Sequence, residues 1–269
     1  MNILITGVSG GMGFQTAKKY TEEGHMVYGL DLKEPSETLP NFKFIRCDIT
    51  SEHDIKNAYE EVKSETQHLD ALISLAGIYD LNSLVEMSEQ DFVKIFNINV
   101  FGCYRINKIF LPLLNETSKI IIVSSELGPL DPLPFTGIYG ITKSTIEKYA
   151  YSLRMEVQLL GIKVIVVRPG AVNTPLLDVT TNRLDKFAEN TILYKDNANT
   201  FRHIVDSVES KKIPPAKVAN FIYKINLKKR PKFTYGINRN PLLKILNALP
   251  QRFQNYIIRK ILTKKKKIK

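Results

Sequence analysis

The sequence is poor in cysteine and has no long uncharged apolar run. Its two cysteines, Cys47 and Cys103, lie far apart and have no histidine at ligand spacing, which argues against a disulfide framework and a metal site. No apolar run is long enough to span a bilayer. Met1 leads into the run ILIT without the basic segment of a signal peptide. We therefore expect a cytoplasmic, reduced protein without bound metal.

Acidic residues are missing from the C-terminal part of the chain. Residues 211–269 contain 18 lysines and arginines and no aspartate or glutamate, whereas residues 1–210 contain 20 basic and 27 acidic residues. A segment with this charge is suited to contact an anionic surface. No nucleic-acid-binding motif accompanies the charge, so we expect no nucleic acid partner.

Short apolar runs alternate with segments of helical periodicity along most of the chain. This alternation predicts an α/β protein, a single domain in which helices cover both faces of a doubly wound, mostly parallel sheet in three Rossmann-type layers. The strands are expected at 2–6, 25–30, 42–47, 71–75, 119–124, 162–167 and 233–235. The clearest helices after the first are expected at 51–66, 89–111, 138–160 and 215–226.

A glycine-rich turn follows the first predicted strand and precedes a helix. Glycines let the backbone turn sharply and approach a pyrophosphate, while the N–H groups at the helix start face the anion. The sequence therefore predicts a dinucleotide-binding turn in the segment TGVSGGMG, with contacts from Gly7, Ser9, Gly10, Gly11, Met12 and Gly13.

Asp31 ends the second predicted strand. An acid at this position accepts hydrogen bonds from the adenosine ribose, and its charge repels a 2′-phosphate. Asp31 therefore favours NAD over NADP. Lys33 lies close by, so NADP stays open as the cofactor.

Tyr139 and Lys143 lie four residues apart on the predicted helix 138–160, and therefore on one face of it. A free phenol titrates near about pH 10, and a neighbouring cation lowers its pKa. This pair is suited to general acid/base chemistry. Ser125 follows the strand 119–124, at the sheet edge where α/β proteins bind ligands.

The order of TGxxxGxG, Asn, Ser, Tyr-x-x-x-Lys and Pro-Gly resembles the classical short-chain dehydrogenase/reductase family over residues 1 to about 180. The resemblance implies an oxidoreductase that transfers a hydride between NAD(P) and an alcohol or carbonyl substrate. It implies that Tyr139 exchanges a proton with the substrate oxygen and that Ser125 holds this oxygen. Lys143 is expected to lower the pKa of Tyr139 and to bind the nicotinamide ribose. The same resemblance implies that Asn99 distorts its helix and links Lys143 to water.

The resemblance also implies further cofactor contacts. They are expected from Asp48 and Ile49 at the adenine, Ala76 and Gly77 at the ribose, Tyr139 and Lys143, and Pro169, Gly170, Val172 and Thr174 at the nicotinamide. Asp48 is also close enough to the next helix to cap it. The chain departs from the family at Ser74 and Leu75, where two asparagines are usual, and Ser74 is expected to take over part of their role.

The C-terminal third is predicted less closely. We assign 1–236 to the Rossmann-type domain, 175–213 within it to a mobile substrate lid, and 237–269 to a basic amphipathic extension with a break at Pro250. The extension is suited either to anchor the protein at an anionic membrane surface or to pack on the substrate cleft, with Lys264–Lys267 in solvent.

Three functions stay open at this point. The first is an oxidoreductase for a lipophilic alcohol or ketone, and the second is a reductase for 3-oxoacyl thioesters on an acidic carrier protein, which the basic tail attracts. The third is a sensor or scaffold that binds NAD without turnover. The resemblance further implies a homo-oligomer, a dimer or tetramer, formed through the helices 89–111 and 138–160.

Overall fold

The structure, a computed structural model, describes residues 1–174, 184–209 and 212–263. Its strands are β1 (Asn2–Thr6), β2 (Met26–Asp31), β3 (Phe42–Arg46), β4 (Leu69–Ser74), β5 (Leu114–Val123), β6 (Lys163–Pro169) and β7 (Thr234–Ile237). Within the described residues these strands form one parallel sheet in the order β3-β2-β1-β4-β5-β6-β7. The predicted strands are confirmed, and the largest shift is at β5, which begins five residues earlier than expected.

The helices connect these strands across both faces of the sheet. They are α1 (Gly11–Glu22), α2 (Glu52–Glu65), α3 (Glu89–Phe96), α4 (Cys103–Phe110), α5 (Gly137–Val157), α6 (which includes 184–190), α7 (Lys195–Glu209), α8 (Pro215–Asn226), α9 (Pro241–Ala248) and α10 (Gln251–Leu262). The expected lid residues 175–183 and 210–211, and the lysines 264–267, lie outside the described residues.

Both faces of the sheet are buried, as a parallel sheet requires. Successive residues of a strand point to opposite faces. Leu4 belongs to an apolar cluster with α2, α4 and α5, whereas Ile3 belongs to a second cluster with α1 and α8. Residues such as Ile120 and Ile121 repeat this alternation on β5. The three-layer, doubly wound single domain is therefore confirmed.

The direction of winding changes between β1 and β4. The chain leaves β1 on one side through β2 and β3, then returns to pair β4 with the other side of β1. A crevice opens at the carboxyl ends of the strands where such a reversal occurs. The glycine turn after β1 and the residues after β4 both border this crevice.

The predicted helix 89–111 is interrupted where Asn99 was expected to distort it. Between α3 and α4 the residues Asn97–Gly102 form a π-helical segment. A wider turn of this kind is frequently found at functional sites. Asn and Gly are poor interior helix residues, which lowers the cost of leaving the α conformation there. The expected distortion is confirmed.

The C-terminal helices pack on the side of the sheet where the crevice opens. The Asp131 backbone N–H donates to Asn247 of α9, and Gln254 of α10 donates to the Asp131 carboxylate. Leu262 packs against an apolar cluster beneath α6 and α7. The described part of the extension, residues 237–263, therefore packs beside the cleft. No helix in the described ranges is both long and apolar enough to cross a membrane.

Candidate active site

A cleft of about 1180 Å³ lies at the crevice between β1 and β4. Twelve of the residues predicted to bind cofactor line it: Gly7, Ser9, Gly10, Gly11, Met12, Gly13, Asp31, Asp48, Ile49, Ala76, Gly77 and Thr174. These residues come from five different segments of the chain. The sheet topology brings them together because the carboxyl ends of parallel strands meet at one edge.

The glycine turn is shaped so that a backbone can pass close to a ligand. Gly7 has a φ of 80°, and a Cβ there would lie 2.8 Å from the backbone of Ala76. A Cβ on Gly13 would lie only 1.9 Å from the Gly7 carbonyl oxygen. No side chain caps the start of α1 at Gly10, so its N–H groups are left for an anion. The turn therefore fits the pyrophosphate of a dinucleotide.

Asp31 fixes the glycine turn to the end of β2. Its carboxylate accepts hydrogen bonds from the N–H groups of Ser9, at 2.9 Å, and Leu32, at 2.7 Å. The Ser9 hydroxyl donates to the Lys33 carbonyl. Each carboxylate oxygen keeps a free lone pair, because an ionised carboxylate has about four acceptor sites. Asp31 thus lines the cleft as a charged hydrogen-bond acceptor.

Asp48 does not cap α2. Its Oδ1 accepts from the Thr50 N–H at 2.8 Å and the Thr50 hydroxyl at 2.7 Å, whereas Ser51 caps the helix by accepting from the Asp54 N–H. The capping alternative for Asp48 is therefore wrong, and its carboxyl lies in the cleft lining.

Thr6 takes the place of the asparagines that the chain lacks after β4. The Thr6 hydroxyl accepts hydrogen bonds from the N–H groups of Leu75 and Ala76, both at 3.2 Å, and so connects β1 to the end of β4. Ser74, which was expected to do this, has its hydroxyl buried without a hydrogen bond to the strand end. The sequence contained a signal for Thr6, since it begins the TGxxxGxG motif.

A second cavity of about 210 Å³ continues from the cleft. Met12, Gly77 and Thr174 line both spaces. The other predicted site residues in its lining are Ser125, Tyr139, Lys143, Pro169, Gly170 and Val172. A cofactor in the cleft therefore has its reactive end beside Tyr139 if it extends toward this cavity.

The Ser125 hydroxyl lies close enough to the Tyr139 phenol to lower the pKa of that phenol, and both residues line the second cavity. Tyr139 lies in the first turn of α5, and Ser125 lies just after β5. Ser124 instead donates to Glu147 at 2.9 Å, which directs it toward α5. Of the two adjacent serines, Ser125 is therefore the one that pairs with Tyr139.

Burial governs the pKa values of both Tyr139 and Lys143. Lys143 is 8 % exposed, its ammonium donates to the Val123 carbonyl at 3.1 Å, and burial lowers its pKa to about 8. Burial raises the pKa of Tyr139 to about 12, against the hydrogen bond with Ser125, which lowers it. Lys143 Nζ lies 5.5 Å from the centre of the Tyr139 ring. Burial is the main cause of the raised Tyr139 pKa and Lys143 is not among its causes, so the expectation that Lys143 lowers this pKa stays a prediction.

Asn99 lies behind the site rather than in its lining. Its Oδ1 accepts from the Ile78 N–H at 2.8 Å, and its Nδ2 donates to the Ile78 carbonyl at 2.9 Å and the Thr142 hydroxyl at 3.2 Å. Both amide hydrogens are therefore used within the protein. A Cβ on Gly77 would lie 3.1 Å from Asn99 Oδ1 and 3.8 Å from Lys143 Nζ, so both groups border the same strand end.

Glu147 and Arg168 form a mostly buried ion pair that sequence reasoning missed. Arg168 Nε donates to Glu147 Oε1 at 2.9 Å, and Nη2 donates to Oε2 at 2.6 Å. This pair joins α5 to β6 directly behind Ser124. The sequence did contain one signal for Glu147: it follows Lys143 by four residues on the same helix and therefore lies on the face that carries Tyr139 and Lys143.

Comparison with known proteins assigns the chain to a family. The model of the short chain dehydrogenase family matches residues 1–185. A 3-ketodihydrosphingosine reductase of Bacteroides thetaiotaomicron is 33 % identical over 267 aligned residues, which cover 96 % of each chain. The chain is a classical short-chain dehydrogenase/reductase. It is thus an NAD(P)-dependent oxidoreductase, and the alternative of a sensor or scaffold without turnover is set aside.

Two further comparisons agree with this assignment. A probable short-chain type dehydrogenase/reductase, VdlC, of Helicobacter pylori is 25 % identical over 271 aligned residues, which cover 98 % of each chain. The crystal structure of a short-chain dehydrogenase family protein from Francisella tularensis superposes with a TM-score of 0.72. At 24 % identity, covering 88 % of this chain and 96 % of the other, it supports the fold.

Proposed function

We propose that this short-chain dehydrogenase/reductase reduces a long-chain ketone with NADH. The observation behind this proposal is the apolar cavity that begins at Ser125 and Tyr139. Phe201 from α7 and Leu243 from α9 both contribute to its lining. The Bacteroides relative is named for a lipid ketone. Its alignment covers nearly the whole chain, including the residues that form these C-terminal helices. An apolar lining with a few polar groups at one end suits an alkyl ketone.

In this proposal a carbonyl oxygen binds between the hydroxyls of Ser125 and Tyr139. A bound nicotinamide supplies the hydride. Tyr139, whose pKa is about 12, keeps its proton at neutral pH and donates it to the oxygen as negative charge develops there. In the reverse reaction the Tyr139 phenolate would accept the proton of the alcohol. Lys143 is proposed to hold the nicotinamide ribose, and a link from Lys143 to water through Asn99 stays a prediction.

The cofactor preference follows from Asp31. A 2′-phosphate on the adenosine ribose would meet a carboxylate that already accepts two backbone N–H groups. Since two anions at hydrogen-bond distance repel each other, NAD is favoured over NADP. Gly7, Gly10 and Gly13 are proposed to surround the pyrophosphate, and Thr174 to contact the carboxamide.

The first experiment is a turnover assay with long-chain ketones and either NADH or NADPH. Tyr139→Phe is expected to lower kcat by at least about a hundredfold, because proton donation contributes 10² to 10⁴ to the rate. Its dissociation constant for NADH should stay within about threefold of wild type. If Tyr139→Phe turned over at the wild-type rate, Tyr139 would not be the proton donor.

A second substrate, a 3-oxoacyl thioester on an acidic carrier protein, is suggested by the charge of residues 211–269. Carrier-protein substrates should show a kcat/KM that falls steeply with salt, because the attraction is screened within about 10 Å at 0.1 M. A free long-chain ketone should show little salt dependence. Preference for the carrier-bound thioester at low salt would favour this second function.

We also propose that α9 and α10 contact an anionic membrane surface on the cytoplasmic side. Four apolar side chains of these helices are between 62 and 69 % exposed: Leu242, Ile245, Phe253 and Tyr256. The same helices contain the cations Lys244, Arg252, Arg259 and Lys260, without acidic residues between them. Exposed apolar groups beside cations are typical of interfacial helices. Because Leu243 lines the cavity, a lipid ketone would reach the site from this surface.

Vesicle sedimentation tests the membrane contact. The full chain is expected to bind vesicles containing phosphatidylglycerol more tightly than vesicles of phosphatidylcholine alone. The double variant Ile245→Ser with Phe253→Ser should weaken this binding by about tenfold or more. Leu159→Ser, at an 83 % exposed position after α5 on the opposite edge of the sheet, is the matched control. Equal binding by all three proteins would contradict the proposal.

A homo-oligomer is proposed through the helices around the π-helical segment and α5. Phe101, Tyr104, Tyr151 and Met155 are each between 42 and 53 % exposed on these neighbouring helices. Exposed apolar residues that share a surface mark an interaction site. Sedimentation should give a dimer or tetramer for wild type and a smaller species for Met155→Asp.

A further inference from the structure

A carboxyl group lies in the substrate cavity next to the residues assigned to the carbonyl oxygen. Glu126 directly follows Ser125, lines the cavity and is only 7 % exposed. Among the cavity-lining residues that the structure describes, Glu126 is the only acid and Lys143 the only cation. Burying a carboxyl group among apolar side chains costs free energy unless a donor or a cation pairs with it.

Only one oxygen of this carboxyl group has a protein partner. Oε2 accepts the backbone N–H of Asn240 at 2.6 Å, just before α9. Oε1 accepts no hydrogen bond from the part of the chain that the structure describes. A Cβ on Gly170 would lie 3.0 Å from Oε1, and Gly170 lines the same cavity. Oε1 is therefore an acceptor without a partner at the cavity wall.

The position of Glu126 limits which part of a substrate meets this oxygen. Glu126 follows Ser125 directly and lines the same cavity, so its carboxyl group belongs to the end of the cavity where Ser125 holds the carbonyl group. A donor at the far end of an alkyl chain would be too distant. The group that pairs best with a buried carboxylate is an ammonium, because hydrogen bonds between charged partners are about twice as strong as neutral ones.

The nearby cations Arg239 and Lys244 favour the ionised form of Glu126, which is the form that an ammonium pairs with. Burial raises the pKa of Glu126, and the hydrogen bond from Asn240 and the nearby Arg239 and Lys244 lower it. A cation that reaches Oε1 from the cavity acts in the same direction as these three groups. Binding an ammonium and ionising the carboxyl group therefore support each other.

We propose that Glu126 binds an amine on the carbon next to the substrate carbonyl. The substrate class is then long-chain 2-amino ketones, and Glu126 distinguishes them from plain ketones. This inference rests on the proposed ketone reduction, and it adds the feature of the substrate that the site selects.

The test compares two ketones that differ only in the amine. One is 3-ketodihydrosphingosine, a long-chain 2-amino ketone, and the other has hydrogen in place of the amino group. Glu126→Gln keeps an oxygen that accepts the Asn240 N–H but removes the charge. It is expected to lower kcat/KM for the amino ketone by about 10- to 100-fold. Its kcat/KM for the plain ketone should stay within about threefold of wild type.

Glu116→Gln removes the same charge from an exposed position beside Gly161, at the opposite edge of the sheet, and should change neither substrate. Equal losses for both ketones in Glu126→Gln, or no loss for either, would overturn the amine site while ketone reduction stands. If wild type reduces neither ketone, the proposed function itself fails and the amine site falls with it. Unfolding and NADH-binding measurements on Glu126→Gln separate a loss of charge from a loss of structure.

Discussion

The buried ammonium of Lys143 is expected to lower the stability of the protein. Its pKa falls from an ordinary 10.5 to about 8 in the folded chain. Each unit is worth about 1.4 kcal/mol, so the charged side chain costs about 3 kcal/mol at neutral pH. Lys143→Met removes this cost but leaves the Val123 carbonyl without its donor, which costs about 1 kcal/mol. We expect Lys143→Met to be about 2 kcal/mol more stable than wild type at pH 7.

The pH dependence has a definite sign. The folded state binds the Lys143 proton less tightly than the unfolded chain does, so the cost is full below about pH 8. It declines between about pH 8 and pH 10.5 and is about 1 kcal/mol at pH 10. The advantage of Lys143→Met should therefore disappear near pH 10.

Urea unfolding at pH 7 and pH 10, without cofactor, measures this difference. Lys148→Met, at an exposed position on the same helix, is the control and should stay within about 0.5 kcal/mol of wild type at both pH values. If Lys143→Met were less stable at pH 7, or if its advantage were the same at both pH values, desolvation would not be what lowers the Lys143 pKa.

Three further substitutions test other parts of the site. Gly13→Ala should abolish NADH binding in a titration, because its Cβ would lie 1.9 Å from the Gly7 carbonyl oxygen; wild-type affinity would refute the close packing. Asp31→Ser should raise the ratio of kcat/KM for NADPH to that for NADH by about tenfold or more, and an unchanged ratio would leave Asp31 without a role in cofactor choice. Arg168→Met leaves the Glu147 carboxylate, whose side chain is 11 % exposed, without its partner. Urea unfolding should then show a loss of about 3 kcal/mol, whereas a loss under 1 kcal/mol would mean that solvent replaces the partner.

The site was predictable where one residue type is required by local geometry. Gly7 and Gly13 were assigned correctly to a tight turn because only glycine fits the backbone contacts that the structure shows. The interruption of the helix at Asn99 was likewise predictable from the sequence, because Asn and Gly disfavour the α conformation. The pKa values of Tyr139 and Lys143 were not predictable from their spacing, because burial is the largest cause of the shift in both.

Roles that depend on long-range contacts were not predictable in the same way. Thr6 is read as part of a turn motif, but its hydroxyl acts across the sheet on residues almost seventy positions away. Glu126 lay in a loop without periodicity, and its importance appears only when the cavity and Asn240 surround it. In both cases the partner is distant in sequence and adjacent in space.

The sequence alone determined the fold class, the positions of the strands and the family. It could do so because the alternation of apolar runs with helical segments and the placement of glycines are local properties of the chain. The tertiary structure decided which of two serines meets Tyr139, which residue connects β1 to β4, and how the C-terminal helices lie on the cleft. It also decided the pKa values of Tyr139 and Lys143. The physical reason is that desolvation and hydrogen-bond partners depend on everything packed around a group, and that surrounding comes from segments far apart in the chain.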